Sequence, residues 1–345
     1  MNVAPRHSDR HAQFHEFVVK AANRRRALRD SLRGDVSVPR RAAYRVFGGK
    51  PDGIDGVYID VYDNAAVLIV YEGIAPDRID WRGAGAAAVL SALGVRAVYF
   101  KPFARDRSRM GGEMPPEVLD PMPAAGEPVP AHVLIDEYEW TLEVQLHGGL
   151  STGLFLDQRE NRRFVWRWVK DRGGTPAVLN TFSYTCAFSV AAAAAGAVTA
   201  SIDVSAKYLE WGRRNFIHNG IDAAPHRFAR MDTFEFFAYA QRKGLGFDFV
   251  ILDPPSFAAG SRKKGTPPFS AVSDYARLIA GAAALLRPRG VILASTNTRE
   301  LCLPGRLERV IAKGLGQEPK YLRQPPPAED FAAERGRFAA RIFSV

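Results

Sequence analysis

Cysteine is nearly missing: the 345 residues hold two, Cys186 and Cys302. Two thiols cannot staple a framework, so a disulfide-built miniature is excluded and a reducing cytoplasm is the expected compartment. Also missing is any run of about 20 strongly apolar residues, the length a membrane helix requires. The longest weakly polar stretch, about residues 187–202, is mostly alanine, and Arg6, Asp9 and Arg10 interrupt any signal-peptide core. Neither a membrane span nor an export route is expected. Acidic residues are in deficit, 37 against 47 Lys plus Arg, for a net charge of +10. A balance of this sign favours polyanionic partners, through phosphate contacts and counterion release. The excess is concentrated at the start, where residues 1–41 carry ten Lys/Arg against four Asp/Glu. With 47% hydrophobic and 24% charged residues, the remaining chain has the balance of a globular protein, long enough for two domains.

From His11 to Arg33, the apolar residues Phe14, Phe17, Val18, Ala21, Leu28 and Leu32 recur at three- and four-residue steps. Arg24, Arg25, Arg26, Arg29 and Arg33 fall mostly elsewhere on the wheel, so residues 1–39 read as an amphipathic, arginine-studded extension. It suits either a docking helix with a solvated face or a rail for RNA phosphates through Arg24, Arg25 and Arg26. His7, His11 and His15 stand four apart, which resembles metal-ligand spacing. No cysteine or carboxylate set completes such a site, so no metal is expected.

A small α/β domain is expected over residues 40–147. Tyr44–Phe47, Gly56–Tyr62 and Ala65–Tyr71 read as strands around an Asp63-Asn64 turn, followed by an alanine-rich helix near residues 83–92 and a strand at Ala97–Phe100. Six prolines within residues 111–130 mark a surface connection, and Val133–Leu146 reads as a further hairpin. From residue 148 to 345 the rhythm becomes strand, helix, strand, helix. That pattern predicts a doubly wound, mostly parallel sheet with its ligand at the carboxyl ends of the strands.

Three aspartates, Asp203, Asp232 and Asp253, stand at the ends of successive predicted strands. A carboxylate there can accept both hydroxyl hydrogen bonds of a ribose, or it can simply cap the next helix. Asp232 has Phe234 close by, a ring able to stack on a base. Asp253 opens Asp-Pro-Pro-Ser-Phe, residues 253–257, where two prolines stiffen the turn and remove two N–H donors. The first strand-to-helix turn, Asn180-Thr181-Phe182-Ser183-Tyr184-Thr185-Cys186, lacks glycine and so is no pyrophosphate-binding turn of a nicotinamide enzyme. A nucleoside ligand without phosphates, such as S-adenosylmethionine, does not need that close backbone approach.

The ordered set of Ser-Thr-Gly-Leu-Phe-Leu-Asp-Gln-Arg-Glu-Asn-Arg at 151–162, Asn180–Thr185, Asp203, Asp232 and DPPSF closely resembles the bacterial S-adenosylmethionine-dependent 23S ribosomal RNA methyltransferases. These include a cytosine-C5 enzyme and the guanine-N7 domain of a bifunctional enzyme. The likeness covers about residues 130–300 and extends weakly through Tyr44–Asp60. It implies the Rossmann-like fold of class I methyltransferases, S-adenosylmethionine as cofactor, and ribosomal RNA or the assembling large subunit as partner. It further implies Asp157, Gln158 and Arg159 over the cofactor's methionine end, with Phe182, Ser183 and Tyr184 beneath it. Asp203 would hold the ribose, and Asp232 with Phe234 the adenine. Asp253, Pro254, Pro255 and Phe257 would flank the transferred methyl and the target base. Arg262, Lys263 and Lys264 follow in a loop suited to phosphates, or simply solvated.

Carbon 5 of cytosine is a poor nucleophile, so enzymes that methylate it usually add a cysteine thiolate first. Here Ser-Thr-Asn-Thr, residues 295–298, stands where the cytosine-C5 relatives carry that cysteine, and Cys302 would have to fold back. Cys186 falls where relatives usually have glycine, as a packed small residue. A ring nitrogen of guanine already presents a lone pair and needs only alignment, with Asn297 and Asp253 as positioning groups. Nitrogen transfer is therefore favoured. The cytosine-C5 relatives also begin with a PUA domain, whereas about 40 residues precede the small domain here. RNA grip would then fall to the basic helix, the small domain and Arg105, Arg107 and Arg109. Two other readings stay open: an RNA-binding assembly factor with a relic cofactor pocket, and a methyltransferase acting on something other than RNA.

Overall fold

Phe14, Val18 and Ala21 share one stripe of a helix, and helix α1 (His7–Arg24) buries all three side chains completely. Phe14 meets Trp81 and Phe47 edge-on, with ring centroids at 5.0 and 6.1 Å. Burying a Phe or Val contributes about 1.5–3 kcal/mol, so this helix is docked. A computed structural model describes residues 7–34, 40–104, 114–260, 268–334 and 336–345. The chain divides into two units, residues 1–157 with 327–333, and residues 158–326 with 334–345.

In the first unit, α2 (Arg26–Arg33) continues α1, and a five-stranded sheet follows in the order β1-β2-β3-β4-β5. Its strands are β1 (Ala43–Gly48), β2 (Val57–Tyr62), β3 (Ala65–Tyr71), β4 (Ala97–Phe103) and β5 (Ala125–Gly126). Asp63, at φ +56°, turns the β2–β3 hairpin, and α3 (Ala86–Leu93) carries the parallel crossover from β3 to β4. The proline-rich connection contains the single turn α4 (Pro116–Leu119). A separate hairpin pairs β6 (Val133–Glu137) with β7 (Trp140–Val144).

The first unit runs past the expected boundary at residue 147, because the next segment is fastened inside it. Gln145 donates from its backbone to the Thr152 carbonyl at 2.9 Å, and the hydroxyls of Tyr62 and Thr152 share a hydrogen bond of 2.8 Å. The buried Lys101 ammonium donates to the carbonyls of Gly149 at 2.7 Å and Leu150 at 3.2 Å. Burial pulls Lys101 down to about 7. Residues 327–333, expected in the second domain, also belong to the first unit. There Asp330 accepts the Arg45 backbone N–H at 2.9 Å, and the Phe331 ring lies 4.5 Å from the Arg45 guanidinium.

The second unit opens with α5 (Arg159–Arg172) and then alternates β8 (Ala177–Thr181), α6 (Ala187–Ala194), β9 (Val198–Asp203), α7 (Ala206–His218), β10 (Arg227–Arg230), α8 (Thr233–Arg242) and β11 (Phe247–Leu252). A short pair, β12 (Phe257–Ala258) and β13 (Phe269–Ser270), precedes α9 (Ala271–Ala283), β14 (Leu286–Thr296), α10 (Arg306–Leu315), β15 (Lys320–Tyr321) and β16 (Ala339–Ser344). The sheet order is β10-β9-β8-β11-β14-β16-β15. Its first five strands are parallel, and β16 runs antiparallel to both neighbours. Along β11, Phe249 and Ile251 enter one core while Val250 and Leu252 enter the other, as a sheet covered by helices on both faces requires. The chain winds outward from β8 to β10, then returns to β11 on the other side of β8. That reversal is the switch point at which doubly wound sheets open a ligand crevice.

Candidate active site

Strand register brings the tips together. Thr181 pairs with Leu252 and with Ile202, and Leu252 pairs with Ala294. The turn after β8, Asp203, Asp253 and Asn297 therefore leave one edge of the second unit. Asp232 caps α8 just beyond β10.

The turn after β8 has an uncommon backbone. Phe182, Tyr184 and Cys186 take φ values of +51°, +48° and +61°, although none is glycine. Each such residue costs on the order of 1–3 kcal/mol and persists only where its surroundings fix it. Here Ser183 donates to the Ile202 carbonyl at 2.9 Å, Tyr184 to Asp203 Oδ2 at 2.9 Å and Cys186 to the Ser183 carbonyl at 2.7 Å, all from backbone N–H groups. The left-handed conformation at Cys186 accounts for the glycine expected there. Its buried Sγ occupies space that Gly212 leaves open: a Cβ on Gly212 would stand 2.4 Å from that sulfur. Burial pushes the Cys186 thiol up to about 12, in keeping with its fully packed side chain.

Asp203 accepts the Tyr184 N–H on Oδ2 and the Ser205 N–H on Oδ1 at 2.8 Å, and the Val204 N–H adds a third backbone donor to the same carboxylate. Burial raises its pKa despite these bonds. Asp232 uses Oδ1 alone to accept from the Phe234 and Glu235 N–H groups, at 2.8 and 3.3 Å. It is a helix cap whatever else it does. Phe234 carries the Arg277 guanidinium 3.7 Å from its ring centroid, so one face of that ring is covered. Phe269 lies between Phe182 and Phe234, at 5.6 and 6.4 Å, and completes an aromatic wall.

Asp253 is the end of a buried polar relay. Asn161 donates to Gln158 Oε1 at 2.7 Å, Gln158 donates to Ser295 Oγ at 3.1 Å, and Ser295 donates to Asp253 Oδ1 at 2.7 Å. Burial raises the Asp253 pKa, opposed by Ser295, Gln158 and the positive charge of Arg162. Arg159 and Arg162, three apart on α5, are 2% and 1% exposed. Beyond Asp253, Pro254 is buried and Pro255 exposed, while Phe257 shows 65% of its surface to solvent. Ser256 donates to Asn297 Oδ1 at 2.9 Å and accepts from Thr298 Oγ1 at 3.0 Å, which locks the double-proline corner to the loop after β14. Cys302 donates its thiol proton to the Thr296 carbonyl at 3.5 Å, and burial raises its pKa.

The structure thus brings Gln158, Arg159, Phe182, Ser183, Tyr184, Asp203, Asp232, Phe234, Asp253, Pro254, Pro255, Phe257 and Asn297 into one unit. Asp157 closes the other. Arg105, Arg107, Arg109, Arg262, Lys263 and Lys264 lie outside the described residues. Arg24 and Arg25 have a partner that the phosphate-rail expectation did not include: both pair with Asp52, which is 2% exposed, and Arg25 does so bidentately at 3.0 and 2.7 Å. Arg26 is exposed and bonds Asn23. Sequence reasoning met Ser256 after the two prolines and Ser295 at the next strand end only as residues standing where a cysteine was sought, and assigned no role to Phe269, Arg277 or Arg162. Only the last two carried a signal, Arg162 by its helical spacing from Arg159 and Arg277 by its position on a helix following the site loop. Among the described residues, no group of three His, Cys, Asp or Glu could hold a metal, and no helix is long and apolar enough to cross a membrane.

A Rossmann-like sheet with carboxylates at adjacent strand tips and no glycine-rich turn defines a nucleoside-binding class, distinct from the dinucleotide-binding one. Residues 120–314 match the model of the S-adenosylmethionine-dependent methyltransferases, and the chain belongs to that family. It is 38% identical over 260 residues to YwbD of Bacillus subtilis, named as a candidate ribosomal RNA large subunit methyltransferase, across 74% of this chain and 61% of that one. Ribosomal RNA large subunit methyltransferase I of Klebsiella pneumoniae is 31% identical over 297 residues, across 84% of this chain and 69% of the relative. Among solved structures, SMU.776, a methyltransferase candidate complexed with SAH, superposes with a TM-score of 0.80 at 29% identity, covering 100% of this chain and 83% of that one. The chain thus spans about three fifths of the length of YwbD.

Proposed function

We propose that this chain transfers a methyl group from S-adenosylmethionine to a base of ribosomal RNA of the large subunit, at a ring nitrogen of guanine. The observation that carries the reading is the edge where Asp203, Asp253 and Asn297 leave β9, β11 and β14 on either side of the turn after β8, with neither cysteine held as a thiolate. The names of the relatives, ribosomal RNA large subunit methyltransferases, support the substrate class.

The residues fit the cofactor. Asp203 stands at a strand tip as a carboxylate able to accept from a ribose hydroxyl, and the wall of Phe182, Phe234 and Phe269 suits a flat, uncharged base. Gln158 and Arg159 stand at the start of α5 for the amino-acid end. When bound there, S-adenosylmethionine supplies an electrophilic methyl group. Asp253, steadied by Ser295 and Gln158, fixes the double-proline corner, and Phe257 offers an exposed ring to the incoming base. Proximity and orientation of this kind can supply up to about 7–11 kcal/mol, enough that an attacking nitrogen needs no covalent catalyst.

The test is mass mapping of ribosomal RNA nucleosides from cells with and without the gene, paired with calorimetry of S-adenosylmethionine binding. Loss of one methylguanosine supports the proposal. Loss of a methylcytidine would overturn the nitrogen assignment, and cofactor uptake with no change in any nucleoside would select an assembly factor.

A further inference from the structure

Ser256 has one hydroxyl proton and two polar neighbours. Thr298 Oγ1 donates its own proton to Ser256 Oγ at 3.0 Å, so Ser256 donates onward, and it does so to Asn297 Oδ1 at 2.9 Å. Thr298 is fixed in turn by its backbone N–H, which donates to Thr296 Oγ1 at 3.0 Å. The relay therefore engages the amide oxygen of Asn297, on an exposed residue, and leaves its Nδ2 protons as what the amide can offer.

We infer that Asn297 determines base specificity as an oriented hydrogen-bond donor, with Ser256 as the positioning residue that sets which way its amide faces. The inference rests on the guanine-nitrogen reading. Guanine carries O6, an acceptor, directly beside the N7 lone pair, whereas adenine carries an N6 amino donor at the same place. A donor held toward that edge engages O6 and leaves N7 free to attack. Adenine would meet it donor to donor, and a site built to hydrogen-bond a group rejects the analogue that lacks it.

The experiment uses the full chain and a synthetic RNA hairpin carrying the nucleotide mapped in ribosomal RNA, with guanine, inosine or 2-aminopurine at that position. Inosine keeps O6 and 2-aminopurine lacks it. The expected result for the wild type is comparable kcat/KM on guanine and inosine and a ~10- to 100-fold drop on 2-aminopurine, the discrimination typical of a good base contact. Asn297→Leu should lose that preference, with S-adenosylmethionine binding by calorimetry unchanged. Ser256→Ala should lower kcat more than it raises KM and weaken the preference, and Ser256→Thr, which restores the hydroxyl, should recover both. Retention of the wild-type preference by Asn297→Leu would overturn this inference and leave the guanine reading intact. A wild-type enzyme that modifies cytosine instead would overturn both.

Discussion

The carboxylates at the strand tips of the second unit are treated differently from those that fasten the first, and differently from Asp248 of their own sheet, which Arg172 and Arg287 answer at 3.3 and 2.9 Å. In the first unit, Asp52 is buried and Asp136 half-buried, and both are answered by arginine: Arg25 and Arg24 for Asp52, Arg41 at 2.7 Å for Asp136. Burial pushes both upward, and the arginine and backbone donors outweigh it, holding both carboxyls below their usual range. Asp63, at the hairpin turn, is the exception and is raised by burial. In the second unit, Asp203 and Asp253 are half-buried against hydroxyl, amide and backbone donors, and desolvation raises both. The first arrangement stabilises a fold, while the second keeps half-buried carboxylates at strand tips for a ligand to meet. A site that binds a cationic nucleoside at the tips of its strands has to carry that cost while empty.

The sharpest way to break this comparison is to neutralise one carboxylate of each kind. Asp253→Asn keeps an acceptor for Ser295 and removes an unfavourable charge. Methyl transfer should fall by at least ~10²-fold, because small misplacements of positioning groups cost that much, while the thermal midpoint stays level or rises. Asp52→Asn should do the reverse in kind. Removing one partner of a buried pair typically costs ~3–5 kcal/mol, and the loss should appear in denaturant unfolding with cofactor affinity unaltered in the fraction that stays folded. If Asp253→Asn proves the more destabilising of the two, the contrast is wrong.

A second perturbation tests the strained turn. Gly212→Ala places a methyl 2.4 Å from Cys186 Sγ, and overpacking of this order costs ~1–3 kcal/mol. Cys186→Gly removes the obstructing sulfur and suits φ +61°. The double variant should therefore be more stable than Gly212→Ala alone, by chemical denaturation. Additive losses would show that the two residues do not compete for the same space.

Much of this was legible in the sequence, for physical reasons that differ from place to place. Apolar runs such as Phe247–Leu252 end where a polar residue begins, so the order of residues alone puts Asp253 at a strand tip. Two-residue periodicity and the Asp63-Asn64 turn likewise announced β2 and β3. What was illegible was long-range pairing. Nothing near Arg24 and Arg25 in the chain announces Asp52, and nothing near Arg45 announces Asp330 or Phe331. The left-handed turn was hidden because it uses Phe182, Tyr184 and Cys186 in place of glycine, stabilised by Asp203 and Gly212 from other elements. Ser256 and Ser295 could be seen to stand where a cysteine was sought, but their roles were hidden, since a hydroxyl at a strand end is common and only its partners give it one.

Acidification should separate the two units, read by hydrogen exchange of peptides from each. For Asp52 and Asp136 the folded pKa lies below the unfolded value of about 4, so their stabilisation holds at neutral pH and is lost only as pH falls through the lower folded values. Lys101 adds to this. Folded at about 7 against an ordinary value near 10.5, it makes the unfolded state bind more protons between those limits, so the first unit weakens as pH drops from about 10 to 7. Asp203 and Asp253 have the opposite sign. With folded values above the unfolded value of about 4, the native state takes up protons first, and protection of the second unit should hold or increase as pH falls from neutral through the raised folded values.

The smallest effect concerns the basic helix. Arg26 is exposed and Arg24 and Arg25 are committed to Asp52, so Arg26→Glu should reduce the salt slope of RNA binding by about one and leave stability unchanged. Arg25→Glu would place a carboxylate against Asp52 and act through unfolding. An Arg26 variant with an unaltered slope would remove the helix from the RNA-binding surface and confine it to packing, the role that Phe14, Val18 and Ala21 already give it.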